Sequence, residues 1–271
     1  MGYVEAIVLA VIQGLTEFLP VSSSGHLVIA QHWFGHFSES NLLYDVMLHM
    51  ATVTAILLYF WQDLLTLAKG YVGLQTEAGS VFQGCERQTI HYVILASVPT
   101  AIIGLGVQTF GFEKLATPSL VAVMFLVTGG ILWMARGGTS ARTAKEMRPW
   151  DALLIGLIQG VAVLPGISRS GSTIAGGMVL GLDRELAARF SLLISIPAIA
   201  GATLLEVIKV LGQDHDAIGV YVLGMGVAAL VGYWSIGVIL RLVRQNHFYL
   251  FSYYLWPLGI GILLWGLLKS S

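Results

Sequence analysis

Six apolar stretches constrain the fold of this chain more than any other feature of its sequence. A helix needs about 20 consecutive apolar residues to cross the hydrocarbon core of a bilayer. The stretches that meet this requirement lie at residues 42–61, 89–110, 118–135, 186–211, 217–240 and 248–268. The sequence therefore predicts an all-α polytopic membrane protein with six full crossings.

The composition excludes most classes of soluble protein. Of the 271 residues, 56% are hydrophobic and 11% are charged, and the mean hydropathy is +0.80. An ordinary soluble domain has about 45–50% apolar and about 25% charged residues. The polar residues here are too few to cover a water-exposed surface, which excludes a soluble enzyme, a disordered chain and a nucleic-acid-binding protein with a basic face. The single cysteine, Cys85, excludes an intramolecular disulfide and a cysteine metal cluster.

Two further apolar regions are too short to cross, and each is interrupted by a proline and a run of serine and glycine. They comprise residues 2–19 followed by 27–34, and residues 150–164 followed by 174–182. Helix, polar break and short helix in this order are typical of a re-entrant hairpin. Irregular backbone at membrane depth requires surrounding protein or a water-filled cavity. We therefore predict re-entrant hairpins at 2–35 and 150–182.

The distribution of basic residues predicts the orientation. If the first hairpin enters from outside and the six helices cross in turn, the loops 62–88, 136–149, 183–189 and 241–247 lie on one side. These loops hold ten of the 14 basic residues, which are Lys69, Arg87, Arg136, Arg142, Lys145, Arg148, Arg184, Arg189, Arg241 and Arg244. The opposite side holds Lys114, Lys209, Lys269, Asp214 and Asp216. The positive-inside rule makes the basic side cytoplasmic and places both termini outside.

A shift of 146 residues aligns the two hairpins with each other. It superimposes identical residues in both motifs, the pairs being Ala6 with Ala152, Ile12 with Ile158, Gln13 with Gln159, Gly14 with Gly160, Ser22 with Ser168, Ser24 with Ser170 and Gly25 with Gly171. Chance agreement among common Gly, Ser and Ala residues is the alternative. An inverted-topology repeat explains why the same offset of 146 residues aligns both motifs. Folds of this kind have their site near the membrane midplane, where broken helices meet. The predicted halves, 1–135 and 150–271, each contain one hairpin and three crossings, and a basic linker at 136–149 joins them.

The one basic residue left over from the count of basic residues, Arg169, lies inside the second hairpin. Arg169 stays charged and is costly in a membrane interior, so it requires a partner. Residues near Arg169 in the sequence carry hydroxyls or are glycines that let backbone N–H groups approach a ligand. They are Gly166, Ser168, Ser170, Gly171, Ser172 and Thr173. The short helix that follows adds its positive end. This set describes a cradle for an oxyanion or phosphate. The alternative is an arginine that only pairs with Glu17 to hold the hairpins together.

The first hairpin supplies a complementary set of polar residues. Gln13 and Glu17 lie four residues apart and share a helix face, and His26 is able to transfer protons near neutral pH. Ser22, Ser23 and Ser24 are candidate nucleophiles or phosphate donors. A hydrogen-bonded interior histidine is the alternative for His26 taken alone.

Asp45 and His49 form a weaker candidate pair on the first crossing helix. They lie four residues apart and could flank the site. We favour ordinary polar contacts near the outer end of that helix.

At these two motifs the sequence resembles a known family. The segments Gln13-xxx-Glu17, Pro-Val-Ser-Ser-Ser-Gly-His26 and Pro165-Gly-Ile-Ser-Arg-Ser-Gly-Ser-Thr resemble the signatures of the undecaprenyl-diphosphate phosphatases, the bacitracin-resistance family. The resemblance covers essentially the whole chain in length and hydropathy. Gln13 stands where some members have glutamate, and Ser24 where some have threonine. The resemblance implies a multi-pass enzyme of the bacterial plasma membrane that regenerates the monophosphate lipid carrier of peptidoglycan synthesis, with a site that opens outward.

The resemblance also implies roles for individual residues. Arg169 would bind the diphosphate together with Ser168, Ser170 and Thr173. Glu17, with Gln13, would hold a divalent cation, Mg²⁺ or Ca²⁺, which prefers oxygen ligands. His26 would act as general acid and base. Ser23, which corresponds to Arg169 in the repeat, is the preferred nucleophile, and a directly activated water is the alternative.

A transporter or lipid flippase is the competing function, because inverted repeats with broken helices are common in transporters. A transporter needs an anion cradle but neither a nucleophile nor a base, so Glu17 and His26 favour the enzyme. The expected partners are the prenyl diphosphate lipid and the bilayer, with no nucleic acid. A homodimer is compatible with the sequence.

Overall fold

The computed structural model describes residues 2–34, 39–75, 79–110, 117–137, 141–210 and 218–270. These residues form eleven α-helices and no strand. The helices are α1 (Tyr3–Thr16), α2 (Ser23–Phe34), α3 (Glu39–Tyr59), α4 (Trp61–Tyr71), α5 (Glu86–Thr109), α6 (Pro118–Met134), α7 (Pro149–Val161), α8 (Arg169–Val179), α9 (Arg184–Val210), α10 (Ile218–Arg244) and α11 (Ser252–Ser270).

The prediction of an all-α membrane protein with several crossings is confirmed at this level. Five helical segments are long and apolar enough to cross a bilayer, namely Glu86–Thr109, Pro118–Gly137, Arg184–Val207, Gly219–Arg244 and Phe248–Leu268. The number becomes six if α3 and α4, which are bent by 68° relative to each other, count as one broken span. These counts concern the described residues alone.

The bend between α3 and α4 corrects the predicted boundary of the first crossing. The sequence predicts a helix at 42–61 and a loop at 62–88, whereas α3 ends at Tyr59 and α4 occupies the start of that loop. Phe60 leaves the helical conformation with φ −95° and ψ 16° and is fully buried. Asp63 in α4 accepts bonds from Arg189 and from Ser80. Because a carboxylate is costly in apolar surroundings, α4 turns so that Asp63 lies beside Arg189 and Ser80.

Each predicted hairpin contains two short helices joined by a turn. The first helices, α1 and α7, have 14 and 13 residues, too few to cross a bilayer. The second helices begin earlier than predicted, at Ser23 and Arg169 rather than at 27 and 174. Part of each serine-glycine run therefore forms the first turn of a helix, because serine oxygens at positions 22 and 168 accept bonds from the backbone N–H groups of residues 25 and 171.

Close helix packing depends on small residues at the contacts. A side chain at Gly14 of α1 would lie 2.8 Å from the Ala228 carbonyl oxygen of α10, and one at Gly156 of α7 would lie 2.2 Å from the Ala96 carbonyl oxygen of α5. Backbones approach this closely in membranes when small residues line the interface. α1 thus packs on α10 as α7 packs on α5, and both hairpins stay anchored to long helices.

The four loops that carry the predicted excess of basic residues meet through ion pairs and backbone bonds. Arg189 pairs with Asp63 and Glu185, and Arg244 also pairs with Glu185. Arg142 bonds to Asp151 and exchanges backbone bonds with residues 181 and 183. The loops therefore share one end of the molecule. On the opposite predicted side, Lys114, Asp214 and Asp216 lie outside the described residues.

Candidate functional site

A carboxylate from the first hairpin and a guanidinium from the second meet at the centre of the candidate site. Glu17 follows the last residue of α1 and is 5% exposed. Its Oε1 accepts a bond from Arg169, and its Oε2 accepts bonds from Gln13 Nε2 at 3.0 Å and Ser23 Oγ at 2.5 Å. His49 Nε2 lies 3.9 Å from the same Oε2 atom. The structure thus brings together four of the predicted residues and one that was not favoured.

Arg169 reaches this position because it is the first residue of α8. Ser168 precedes it, and its Oγ accepts the Gly171 N–H at 3.0 Å, which ends the turn and starts the helix. The N–H groups at a helix start carry partial positive charge. The guanidinium therefore adds to a region that already favours an anion.

A cavity of about 590 Å³ borders this cluster. Its wall has polar side chains from both hairpins and α3, namely Thr16, Glu17, Ser22, Ser23, Ser24, His49, Gln159, Ser168 and Arg169. Further polar side chains come from α5 and α9, namely Ser97, Thr100, Gln108, Thr203 and Glu206. The remaining wall comes largely from α5 and α9 and is mostly apolar. The cavity combines a charged, hydroxyl-bearing region with an apolar region, and so suits an amphipathic ligand with an anionic head.

His49 is a site residue that the sequence interpretation considered but did not favour. We favoured ordinary polar contacts for Asp45 and His49, and this interpretation is wrong for His49, whose ring faces Glu17. Asp45 accepts both bonds from Gln31, and its backbone oxygen contacts His49 Nδ1 at 2.8 Å. The signal that could have found His49 is an ionisable residue within a membrane helix, which is a functional candidate by default.

His26 points away from the Glu17 cluster. Its Nδ1 donates to the Ser22 carbonyl oxygen at 2.8 Å, and its Nε2 contacts the Tyr254 hydroxyl of α11 at 2.8 Å. The ring also stacks on Tyr254 and lies 5.0 Å from the ring of Phe125 in α6. The structure therefore places the predicted acid–base residue between α2, α6 and α11, with both ring nitrogens engaged.

Gln13 lies beneath Glu17 rather than on the cavity wall. It is fully buried, and its Oε1 has no hydrogen-bond partner. Among the described residues, no group of three or more His, Cys, Asp and Glu side chains is arranged to hold a metal ion. Any cation at this site therefore needs ligands besides these side chains.

Four members of the predicted phosphate cradle make contacts with other parts of the protein. Ser170 Oγ contacts the Leu19 carbonyl oxygen at 3.4 Å, and Thr173 Oγ1 donates to the Arg169 carbonyl oxygen at 2.8 Å. The Gly171 N–H is used by Ser168. Gly166 adopts φ +93°, and a Cβ there would lie 2.6 Å from Met124 of α6, so this glycine serves a turn and a close helix contact.

The chain is similar to proteins of one family over nearly its whole length. A family model described as bacitracin resistance protein BacA matches residues 6–261. A protein of Desulfosudis oleivorans named undecaprenyl-diphosphatase is 44% identical, with 98% of each chain covered. Proteins of the same name from Syntrophotalea carbinolica and Carboxydothermus hydrogenoformans are 42% and 40% identical, with 96% and 97% of this chain and 97% of each relative covered.

Proposed function

The chain belongs to the bacitracin resistance protein BacA family, and we propose that it hydrolyses undecaprenyl diphosphate to undecaprenyl phosphate and inorganic phosphate. This activity recycles the lipid carrier of peptidoglycan synthesis and gives bacitracin resistance. The observation that carries the proposal is the cluster of Glu17, Ser23 and Arg169 on the wall of a largely apolar cavity. A charged cluster within an apolar enclosure is what a reaction on the head of a lipid requires.

Arg169 is proposed to hold the phosphate that is transferred. Phosphoryl transfer requires that negative charge on the phosphate oxygens be neutralised. The guanidinium uses one edge for Glu17 and lines the cavity, so its other N–H donors are available to phosphate. Ser168 on the same wall and the start of α8 add hydroxyl and backbone dipoles.

Ser23 is proposed as the nucleophile. Its hydroxyl donates to Glu17 at 2.5 Å, which fixes the oxygen beside the cavity and gives its proton an acceptor. Attack of Ser23 Oγ on the terminal phosphorus would break the bond to the bridging oxygen, which leaves with undecaprenyl phosphate. Water would then release the phosphate from Ser23. Direct attack by a water held in the same place is the alternative.

His26 stays the predicted general acid and base. In the described arrangement it fixes the turn before Ser23, because its Nδ1 holds the Ser22 carbonyl oxygen. To exchange a proton with the substrate, its Nε2 would have to leave the Tyr254 hydroxyl. The proposal thus requires a movement of α2 relative to α11 or a rotation of the ring.

A divalent cation, Mg²⁺ or Ca²⁺, is proposed to bind jointly with the substrate. Mg²⁺ commonly uses one or two carboxylates together with substrate phosphates. The donors near the cavity fit this mode, since Glu17 is a carboxylate and the unpartnered Gln13 Oε1 is a neutral oxygen beside it. When bound, the cation would neutralise phosphate charge during transfer.

The lipid is proposed to reach the site from the bilayer, with the head facing the outside of the plasma membrane. Gln108 and Glu206 line the cavity near the ends of α5 and α9. The other ends of these helices lie near the ion-paired loops that the basic residues assign to the cytoplasm. A homodimer is compatible with this arrangement.

We also propose that the two halves, 1–135 and 150–271, are an inverted repeat with re-entrant hairpins, connected by 136–149. Matching bonds support this. Ser22 Oγ lies 3.3 Å from Ser24 Oγ, as Ser168 Oγ does from Ser170 Oγ. α2 and α8 begin 146 residues apart, which is the offset that aligns the motifs. Such a repeat would explain why the hairpins meet tip to tip at Glu17 and Arg169.

Release of inorganic phosphate from undecaprenyl diphosphate by the purified protein tests the function. We expect release that depends on Glu17 and stops in excess chelator. Full activity in chelator would remove the cation from the mechanism. Binding of the lipid without phosphate release would favour the transporter or flippase instead.

A further inference from the structure

The cavity opens sideways between α5 and α9. Several residues both line the cavity and are exposed on the outside of these helices, including Ala101 and Leu105 of α5 and Gly201 and Leu204 of α9. Leu105 is 49% exposed and Leu204 is 62% exposed. Because both helices belong to segments apolar enough to cross a membrane, this side opening faces hydrocarbon rather than water.

Gly104 of α5 and Gly201 of α9 both line the cavity. A Cβ built on Gly201 meets no atom within 4 Å, and one built on Gly104 meets only Val163 Cγ2 at 4.0 Å. Ala101 and Ala202, which also have small side chains, line the cavity near these glycines. Glycine in a helix interior is destabilising relative to alanine. Because Gly104 and Gly201 also line the cavity, the space beside them belongs to the cavity and is room for a ligand.

The chemistry of this gap fits a branched hydrocarbon. Its walls are mostly alkyl groups and bare backbone, with the hydroxyls of Ser97, Thr100 and Thr203 among them and Gln108 and Glu206 toward the helix ends. The gap continues into the polar cluster at Arg169 within one cavity. A volume of about 590 Å³ is that of a pocket for a drug-sized ligand. A diphosphate with a few isoprene units fills such a space, and the rest of a long prenyl chain must extend into the bilayer.

We propose that the gap between α5 and α9 binds the isoprene units next to the diphosphate, and that Gly104 and Gly201 determine whether a long prenyl chain can enter. This inference rests on the proposed function and deepens it by naming the path of the lipid chain. The diphosphate end binds at Arg169, and the chain leaves sideways past Leu105 and Leu204. The two glycines are specificity-determining positions outside the reacting cluster.

The experiment compares Gly104→Leu and Gly201→Leu with Gly106→Leu. Gly106 also has no atom within 4 Å of an added Cβ but points about 200° away from Gly104 around α5, so it reports the effect of leucine in the helix alone. The substrates are undecaprenyl diphosphate and a prenyl diphosphate with a single isoprene unit. In the two gap variants we expect kcat/KM for the long substrate to fall at least about tenfold, with less than about twofold change for the short one. Gly106→Leu should change neither.

Equal losses for both substrates in the gap variants would overturn the inference, because leucine would then have damaged the reacting cluster. An unchanged rate for the long substrate would overturn it as well. A binding measurement tests the path of the prenyl chain independently of the proposed hydrolysis. A long prenyl diphosphate with a photoreactive group on its second isoprene unit should label α5 and α9 in the native protein, even if no phosphate is released. Labelling confined to α6 and α11 would place the chain elsewhere.

Discussion

Arg169 and Glu17 form an ion pair that joins the start of α8 to the end of α1, and so links the tips of the two hairpins. Glu17 is almost completely buried, and an unpaired carboxylate at membrane depth is costly. The pair removes this cost and also holds the guanidinium on the cavity wall. The structural and the phosphate-binding interpretations of Arg169 are therefore compatible, and variants must separate them.

Arg169→Lys should lower kcat/KM at least about tenfold while the protein still inserts. Lysine keeps the positive charge near Glu17 but lacks the planar fork that binds a second oxygen. A lost charge-assisted hydrogen bond costs about 1.5–3 kcal/mol, which is roughly ten- to a hundred-fold in rate. Steady-state phosphate release measures this. Near-native turnover would show that only the charge of Arg169 matters and would withdraw the phosphate-binding role.

A double variant provides the control for this prediction. Arg169→Ala alone leaves a buried unpaired carboxylate, which destabilises by about 3–5 kcal/mol. Adding Glu17→Gln removes that charge, so thermal stability should recover in the double variant. Activity should not recover, because neither charged group is then present at the phosphate.

Ser23→Ala should be far more damaging than Ser172→Ala. Ser23 donates to Glu17 at the cavity, whereas Ser172 Oγ is buried in α8 without a hydrogen-bond partner. Removal of an unpartnered hydroxyl leaves no orphaned group behind, so Ser172→Ala should keep stability and rate. Phosphate release and thermal unfolding of both variants test this. A Ser23→Ala enzyme with native rate would favour direct attack by water.

The helices and the hairpins could be predicted because their signals are local. Apolar runs of sufficient length identify crossings, and the proline with its serine-glycine run identifies each break. The cost of an isolated charge in a membrane predicted that Arg169 has a partner, and pairing with Glu17 was the alternative to a bound phosphate. These features depend on neighbouring residues or on one general energetic rule.

The bend at Phe60 and the directions of the two histidines could not be predicted. The bend depends on Arg189, which lies 126 residues from its partner Asp63. His26 is turned by Tyr254, 228 residues away. Each contact is made only after distant helices pack, and helical periodicity does not say which face of a membrane helix meets the site.

Cysteine labelling should place the basic loops and the carboxyl-terminal end on opposite sides of the membrane. Lys145 is exposed in the basic linker, whereas Arg142 is engaged by Asp151 and is a poorer site for substitution. With Cys85 replaced by serine, Lys145→Cys should react with an impermeant maleimide only from the cytoplasm. Ser270→Cys should react only from outside. Reaction of both from the same side would refute the six-crossing topology.

His26→Gln should lower kcat by about 100-fold or more if His26 transfers a proton in the reaction. Tyr254→Phe separates this role from support of the turn. The phenylalanine keeps the ring that stacks on His26 but frees Nε2, so it should retain most of the rate. Equal, small effects of both variants would mean that His26 only positions the turn before Ser23.

His49→Gln should lower kcat/KM at least about tenfold, since it removes the imidazole that faces Glu17 across the cavity. The His49 Nδ1 donates to the Asp45 carbonyl oxygen, which orients the ring with Nε2 toward the cluster. A separation of 3.9 Å from Glu17 is too long for a direct hydrogen bond and leaves Nε2 for a ligand in the cavity. His91→Gln is the matched control, because His91 is exposed on α5 and contacts the edge of Tyr71. If both variants keep the native rate, His49 lines the cavity without taking part in binding or turnover, and the site reduces to the residues of the two hairpins.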